Sequence, residues 1–324
     1  MKLEDIGFYT LSDYRVSQAS AQSPLWRCEL ILTDRCNFKC NYCRGLKTNI
    51  QGDLNWNEAH RIVDYWISQG LKNIRFSGGE PMVKYDLLCS LVRKCKKAGV
   101  EHIAISTNGS YPLGKYYYLH SLGVNDFSIS FDSAFCCTAE LMSGKCNSFE
   151  TICTNIEELA RITYVTLGIV FTPDNVGHAL DTIGRGHSFN PADIRIIPSA
   201  QYNKQLSDIG KNIDNSLLEC HPILKYRINN IRDGRHVRGI DKSCDRCYMA
   251  LDDMAVAQGY HFPCIIYMRE QGDYIGKIGA FTRRDRFMWV IGHDISNDPI
   301  CKKNCLDVCV DYNMKFKERL LNGQ

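Results

Sequence analysis

The first feature that could do chemistry is a run of three cysteines, Cys36-x3-Cys40-x2-Cys43, within eight residues. Thiolates are the usual protein ligands of iron–sulfur clusters, so three of them on one loop can hold one [4Fe–4S] cluster. The fourth iron would have no protein ligand and could bind a chelating substrate, as an open catalytic metal position does. The alternative is a zinc loop. Zinc needs a fourth ligand, and no Cys or His pair follows Cys43 closely.

The second feature is the sequence Ser77-Gly78-Gly79-Glu80-Pro81, which follows a predicted strand. Glycines let the backbone approach a ligand closely, and a carboxylate can hold an ammonium group. The other interpretation is a tight turn from a strand to a helix.

The elements that must position these residues alternate between short β-rich runs and helical patterns. The predicted strands are 28–33, 73–76, 102–107, 126–131, 164–171 and 193–199. Helical spacing predicts helices over 57–69, 87–97 and 149–161, the last with Ser148 as its cap. Repeated strand–helix units predict an α/β fold with a parallel sheet. Six units favour an open, partial (β/α)6 barrel.

The motifs together resemble the radical S-adenosylmethionine (SAM) superfamily. The resemblance rests on the three cysteines with Tyr42 before the last one, and on the Gly-Gly-Glu-Pro sequence one βα unit later. It continues with the sequences at 106–109, 130–133 and 194–198, and covers roughly residues 28–200. These motifs fall at or near successive strand ends, where barrel-like folds place their sites. The resemblance implies a partial radical SAM barrel.

The resemblance also implies a role for each residue. The cluster would be held by Cys36, Cys40 and Cys43, with the amino and carboxylate groups of SAM on the open iron. The methionine amino group would be received by Gly78, Gly79 and Glu80. Contacts to the methionine carboxylate or the ribose would come from Thr107, Asn108, Ser130 and Asp132. The adenine would be flanked by Tyr42 and Ile197. Reductive cleavage of SAM would give a 5′-deoxyadenosyl radical that takes hydrogen from a substrate.

A second group of cysteines lies near the end of the chain, at positions 244, 247, 264, 301, 305 and 309. Cys247-x11-Gly259-x4-Cys264 resembles the opening of the SPASM domain, a cysteine-rich appendage that binds auxiliary clusters. The spacing after it is compressed, which favours one auxiliary [4Fe–4S] cluster, as in the shorter "twitch" variant. The predicted ligands are Cys244, Cys247, Cys264 and one of the last three, with Cys305 favoured. A structural zinc on the same four cysteines is the alternative.

Cys244-x2-Cys247-x16-Cys264 also resembles the three-cysteine auxiliary site of the molybdopterin-precursor cyclase. The sequence lacks the C-terminal Gly-Gly tail of that enzyme, so we do not predict that role.

Composition narrows the class of protein. The chain has 17 cysteines, a net charge of +3, and no apolar run near the ~20 residues that span a bilayer. The first ten residues lack the apolar core of a signal peptide, so we expect a cytoplasmic protein whose cysteines are metal ligands or core residues rather than disulfides. The charge is too small to predict nucleic-acid binding. An electron donor such as a flavodoxin or ferredoxin is the expected partner.

We expect an N-terminal extension at 1–27, a core barrel at 28–199, a connecting segment at 200–243 and a twitch-like domain at 244–324. The predicted activity is that of an oxidoreductase that oxidises, epimerises or cross-links a small polar molecule or a short peptide. Twenty-seven residues before the first strand are too few for a peptide-recognition domain. The alternatives are a SPASM-type maturase of ribosomal peptides or proteins, and a non-catalytic zinc or electron-transfer protein.

Three further expectations concern single residues. Cys137, beside Cys136, follows the fourth strand, where a thiol could donate hydrogen to a substrate radical. Asp252 and Asp253 are expected to be solvated in a hairpin. The arginines at 283, 284 and 286 are expected to form an exposed basic turn.

Overall fold

The computed structural model describes residues 13–45, 51–202, 204, 206–240 and 244–322. The chain separates into two compact units. One contains the segments 1–35, 44–103 and 238–324, and the other contains 36–43 and 104–237.

The first stretch of the chain alternates helices and strands as predicted. Its elements are α1 (Asp13–Gln18), β1 (Arg27–Ile31), α2 (Trp56–Ser68), β2 (Asn73–Ser77), a 3₁₀ turn (Pro81–Lys84), α3 (Tyr85–Lys97) and β3 (His102–Thr107). Helix α2 begins at Asn55, whose side chain accepts from two backbone N–H groups, and it buries the predicted apolar face that includes Trp66. Strands β1 and β2 pair in parallel, with Cys28 opposite Ile74.

The middle of the chain continues the alternation. It contains α4 (Leu113–Leu122), β4 (Asp126–Ser130), α5 (Cys136–Ser143), α6 (Phe149–Ala160), β5 (Tyr164–Phe171), α7 (Ala179–Ser188) and β6 (Asp193–Pro198). Strands β3 to β6 pair in parallel in chain order. Helix α6 begins after Ser148 as predicted, but the Ser148 side chain makes no capping hydrogen bond. The predicted connecting segment is mainly helical, with α8 (Ser207–Asn212), α9 (Asn215–Cys220) and α10 (Pro222–Arg232).

The last part of the chain adds three strands and four helices among its described residues. They are β7 (Asp253–Ala257), β8 (Tyr260–Phe262), α11 (Ile265–Arg269), β9 (Gly276–Lys277), α12 (Thr282–Gly292), α13 (Pro299–Asn304) and α14 (Asp307–Leu321). Strands β7 and β8 form the predicted antiparallel hairpin. Strand β7 also pairs in parallel with β1, with Met254 opposite Cys28. The cysteine-rich end of the chain is thus part of the same sheet as β1.

The sheet is not closed into a barrel. Within the described residues, β6 pairs only with β5, and β9 pairs only with β8. The predicted α/β fold with an open parallel sheet is therefore confirmed. The predicted division at residues 28–199, 200–243 and 244–324 stays a prediction. The two compact units are assembled from other segments.

Two expectations about charged residues are wrong. Asp252 and Asp253 are buried, and Asp252 forms an ion pair with Arg15 of α1, which is also fully buried. The predicted basic turn is the start of α12. Arg286 is fully buried there and donates to the backbone oxygens of Ala250 and Phe262, although Arg284 is exposed. Partners distant in sequence satisfy these charges, and the local sequence does not reveal them.

Candidate cluster site and C-terminal cysteine group

The three cysteines of the first motif lie on the loop between β1 and the segment that precedes α2. Cys36 and Cys43 are exposed and Cys40 is half-buried. The three thiols are close enough to interact electrostatically, since Cys36 and Cys43 both raise the pKa of Cys40. The loop turns on itself at Cys43, whose N–H donates to the Cys40 oxygen at 3.1 Å.

Neighbouring residues hold this loop on two sides. On one side, Asn108 Nδ2 lies 2.8 Å from Asn37 Oδ1 and 3.9 Å from Cys36 Sγ, and Asn37 donates to Ser110. On the other side, the N–H groups of Lys39 and Asn41 donate to the backbone oxygens of Ser143 and Met142. These hydrogen bonds fix the position of the loop relative to the turn that follows β3 and to the end of α5. Sequence analysis missed Asn37 and Ser110, because no motif marks a loop-to-loop amide contact.

The surroundings of Cys40 disfavour its ionised form. Burial, followed by the nearby Asp132 carboxyl and the other two thiols, raises the pKa of the Cys40 thiol to about 12. A buried thiol of this kind is protonated at neutral pH. Cysteine binds metal as a thiolate, so loading a cluster would release protons from this loop. The donor set of three thiols on one loop fits a [4Fe–4S] cluster.

The two glycines of the second motif allow their turn to lie close to the backbone of Thr33 and Arg35. A Cβ on Gly79 would lie 2.2 Å from the Arg35 oxygen, and one on Gly78 would lie 2.4 Å from the Thr33 oxygen. The Gly79 N–H donates to Thr33 and the Glu80 N–H donates to Arg35. Gly78 also has a φ of +150°. Glycine is needed here so that this turn packs against the chain just before Cys36.

Glu80 is 1% exposed, and its Oε1 accepts from the Met82 N–H at 3.1 Å. The carboxylate thus starts the 3₁₀ turn at Pro81. A buried carboxylate at this position has the chemistry to hold an ammonium group. Its role toward SAM stays a prediction.

The residues predicted to contact SAM or its substrate differ in their surroundings. Some make hydrogen bonds within the fold, and others are exposed or half-buried. The Thr107 hydroxyl is buried, lies 3.1 Å from the Tyr116 hydroxyl and accepts from the Gly109 N–H. Ser130 is exposed at the end of β4, and Ile197 is half-buried on β6. Cys137 is exposed in the first turn of α5.

Tyr42 and Asp132 form a half-buried, hydrogen-bonded pair. The Tyr42 hydroxyl donates to Asp132, and the Val170 N–H donates to the other carboxylate oxygen at 2.8 Å. Burial raises the pKa of Asp132 to about 6 despite these two donors. Asp132 therefore anchors the side chain between Cys40 and Cys43.

A cavity of about 570 Å³ adjoins Tyr42. It is lined by polar and aromatic side chains of the 36–43 loop and of the segments that follow β5 and β6, which include Asn41, Asp174, Gln201, Tyr202 and Lys204. Gln201 donates to the Tyr42 backbone oxygen at 3.2 Å, and Asn41 donates to Asp174 at 2.8 Å. The cavity is large enough for a small polar ligand.

The C-terminal cysteines meet in one group, although they come from separate segments. We call this the C-terminal cysteine group. Its members are Cys244, Cys247, Cys264, Cys301, Cys305 and Cys309. The thiols of Cys264, Cys309 and Cys244 raise the pKa of Cys247, and the Cys305 thiol is hydrogen-bonded to Cys309. Burial raises the pKa of Cys264 to about 12 and that of Cys244 to about 11. Six buried or half-buried thiols that are close enough to shift one another's pKa are typical of a metal site.

A family model of the radical SAM superfamily matches residues 30–185. These residues are a radical SAM domain. The superfamily consists of enzymes that use a [4Fe–4S] cluster and SAM, which agrees with the three cysteines of the 36–43 loop.

Curated relatives match part of the chain. GTP 3′,8-cyclase of Ectopseudomonas mendocina is 36% identical over 107 residues, which are 32% of this chain and 32% of that protein. GTP 3′,8-cyclase of Geobacter sulfurreducens is 32% identical over 137 residues, which are 41% and 39% of the two chains. The chain spans about a third of the length of the curated relatives it matches.

Solved structures share the fold over more of the chain. Streptococcus suis SuiB has a TM-score of 0.59 at 14% identity, and the match covers 86% of this chain and 67% of SuiB. The structure of anSMEcpe with bound AdoMet has a TM-score of 0.61 at 15% identity, with 92% and 98% covered. At this identity the likeness concerns the fold alone.

Within the described residues, no helix is long and apolar enough to cross a membrane.

Proposed function

We propose that this chain is a radical SAM enzyme that cleaves SAM reductively and removes hydrogen from a small polar molecule or a short peptide. The observation that carries the proposal is the 36–43 loop. Its three thiols lie close enough to shift the pKa of Cys40, and hydrogen bonds to neighbouring segments hold the loop.

In this proposal Cys36, Cys40 and Cys43 hold the cluster. When bound, the cluster and SAM supply the electron transfer and the bond cleavage that start radical chemistry. Glu80 binds the methionine ammonium group through its buried carboxylate. Asp132 fixes Tyr42, and the cavity beside Tyr42 receives the rest of the ligand and limits access of water.

The geometry changes the predicted roles of two residues. Asn108 is hydrogen-bonded to Asn37 and lies beside Cys36, and Thr107 closes the turn that follows β3. We therefore propose that both residues position the loop, whereas Ser130 and Ile197 are proposed to contact SAM directly.

We propose that the C-terminal cysteine group binds one auxiliary [4Fe–4S] cluster through Cys244, Cys247, Cys264 and Cys305. The support is the proximity of thiols from three segments, whose pKa values are raised by burial and by one another. An auxiliary cluster can bind a substrate or accept its second electron.

Two classes of substrate have support. The curated relatives are named for GTP, which favours a small polar molecule. The fold matches SuiB solved with the precursor peptide SuiA, and anSMEcpe solved with the Cp18Cys peptide, which favours a short peptide. A turnover assay separates the two classes. A nucleotide pool and a peptide pool are added in separate reactions, and the pool that raises SAM turnover above the substrate-free level identifies the class.

The activity itself is tested by anaerobic reconstitution with iron and sulfide, followed by reduction with dithionite in the presence of SAM. We expect 5′-deoxyadenosine to form with the wild-type chain and to fall to background with Cys40→Ala, because one iron loses its ligand. Cys220→Ala is the matched control, since Cys220 is an exposed thiol at the end of α9. Equal product from Cys40→Ala and the control would contradict the proposal.

A further inference from the structure

A second kind of ligand set lies at the edge of the C-terminal cysteine group. Ligand atoms of His293, Asp298 and Cys301 all lie within 4.8 Å of one another. His293 directly follows α12, Asp298 caps α13, and Cys301 lies in the first turn of α13. This set combines nitrogen, oxygen and sulfur donors, unlike the all-thiol group beside it.

The spacing fits a shared metal ion. His293 Nε2 lies 3.2 Å from Asp298 Oδ2. A tetrahedral zinc ion with bonds of about 2.0–2.1 Å to nitrogen and oxygen separates two such ligands by about 3.3 Å. Imidazole, carboxylate and thiolate are all ligands that zinc accepts.

The His293 imidazole is held in place by stacking, but its Nε2 atom makes no hydrogen bond within the described part of the chain. Among the described residues, His293 Nε2 is buried and makes no hydrogen bond, although Asp298 Oδ2 lies 3.2 Å away. Trp289 stacks on the ring, with centroids 4.3 Å apart and planes at 18°. A buried nitrogen without a partner costs free energy unless another ligand takes its lone pair.

Hydrogen bonds from neighbouring groups orient the Asp298 carboxylate, as they do around ligands in metal sites. Asp298 Oδ1 accepts from the N–H groups of Ile300 and Cys301, which fixes it as the cap of α13. Asp298 Oδ2 accepts from the Tyr267 hydroxyl at 3.1 Å and faces His293. Hydrogen bonds of this kind hold ligating groups in position in metal sites.

We propose that His293, Asp298 and Cys301 bind one divalent metal ion of the zinc type, with a fourth position open to water or a ligand. The proposal rests on the proposed auxiliary cluster in one respect, since that cluster uses Cys305 and leaves Cys301 for this site. Three protein ligands and one open position are the arrangement of zinc sites that act on bound molecules.

The test adds Zn²⁺ to the anaerobically reconstituted full chain, removes the excess, and measures metal content and zinc-edge X-ray absorption. We expect about one zinc per chain, with one sulfur ligand at about 2.3 Å and the remaining ligands nitrogen or oxygen. His293→Phe keeps an aromatic ring to stack on Trp289 but removes the nitrogens. Its zinc affinity should fall by at least about 100-fold, since even outer-shell changes cost about 10–100-fold. Its iron content should not change.

His236→Phe is the matched control, since His236 is exposed and outside this set. Asp298→Asn keeps an oxygen to cap α13 and should weaken zinc binding without loss of folding. Zinc with three or four sulfur ligands, zinc retained by His293→Phe, or auxiliary iron lost from His293→Phe would each overturn the proposal. A wild-type chain with zinc and one sulfur ligand but no auxiliary iron would support this site and contradict the auxiliary cluster instead.

Discussion

The two cysteine sites of this chain are built in different ways. The 36–43 loop brings three thiols together within eight residues, and two of them are exposed. The C-terminal cysteine group collects its six thiols from segments spread over residues 244–309, and none of them is exposed. A local loop keeps its ligands together by sequence alone. A group assembled by tertiary structure depends on the fold, and we expect the fold to depend on its metal.

The largest effect should come from removing a ligand at each site. The triple variant Cys36/Cys40/Cys43→Ala should stay folded and keep about half of the iron, because its loop is held by hydrogen bonds. Cys264→Ala should lose the other half together with solubility. Iron analysis and the soluble fraction measure both effects. If Cys264→Ala stays soluble with full iron, the contrast between the two sites is wrong.

A smaller effect is expected at Glu80. Glu80→Ala should weaken SAM binding by about 10- to 100-fold, which corresponds to about 1.5–3 kcal/mol for a charge-assisted hydrogen bond. Glu80→Gln keeps an acceptor for the Met82 N–H, so a similar loss in that variant would assign the effect to the charge. Calorimetric titration of the reconstituted protein gives the affinities. Unchanged affinity in both variants would leave Glu80 with only its structural role.

The turn before Glu80 should be sensitive to a single methyl group. Gly79→Ala places a Cβ against the backbone oxygen of Arg35, so the free energy of unfolding should fall by about 1–3 kcal/mol. Gly114→Ala is the control, because nothing lies within 4 Å of a Cβ there. Urea unfolding of both variants measures the difference, and equal stability would show that the turn can shift away.

The smallest effect is expected for Cys309 of the C-terminal cysteine group, compared with its neighbour Cys305. Cys305→Ser should lose the auxiliary iron, whereas Cys309→Ser should keep it, because Cys309 is a surplus thiol beside Cys305. Iron content measured in the background of the triple variant makes the comparison direct. The reverse result would exchange the roles of the two cysteines.

Sequence reasoning succeeded where the signal was local. Apolar periodicity placed the strands and helices around the core, such as α2 with its buried Trp66, and the spacing of the first three cysteines predicted their common loop. It failed where the partner was distant. The parallel pairing of β7 with β1 joins residues more than 200 positions apart, and the buried Asp252 has its counterion on α1. His293 and Asp298 belong to no motif, so only the structure brings them beside Cys301.

The central claim is that the 36–43 loop carries a cluster with an iron open to SAM, whereas the C-terminal cysteine group encloses its own. Electron paramagnetic resonance of the dithionite-reduced protein, with and without SAM, tests it directly. In the wild-type chain SAM should change one component of the spectrum. In the triple variant that component should be missing, and the remaining signal should not respond to SAM. A remaining signal that shifts with SAM, or a wild-type spectrum that SAM does not alter, would contradict the account.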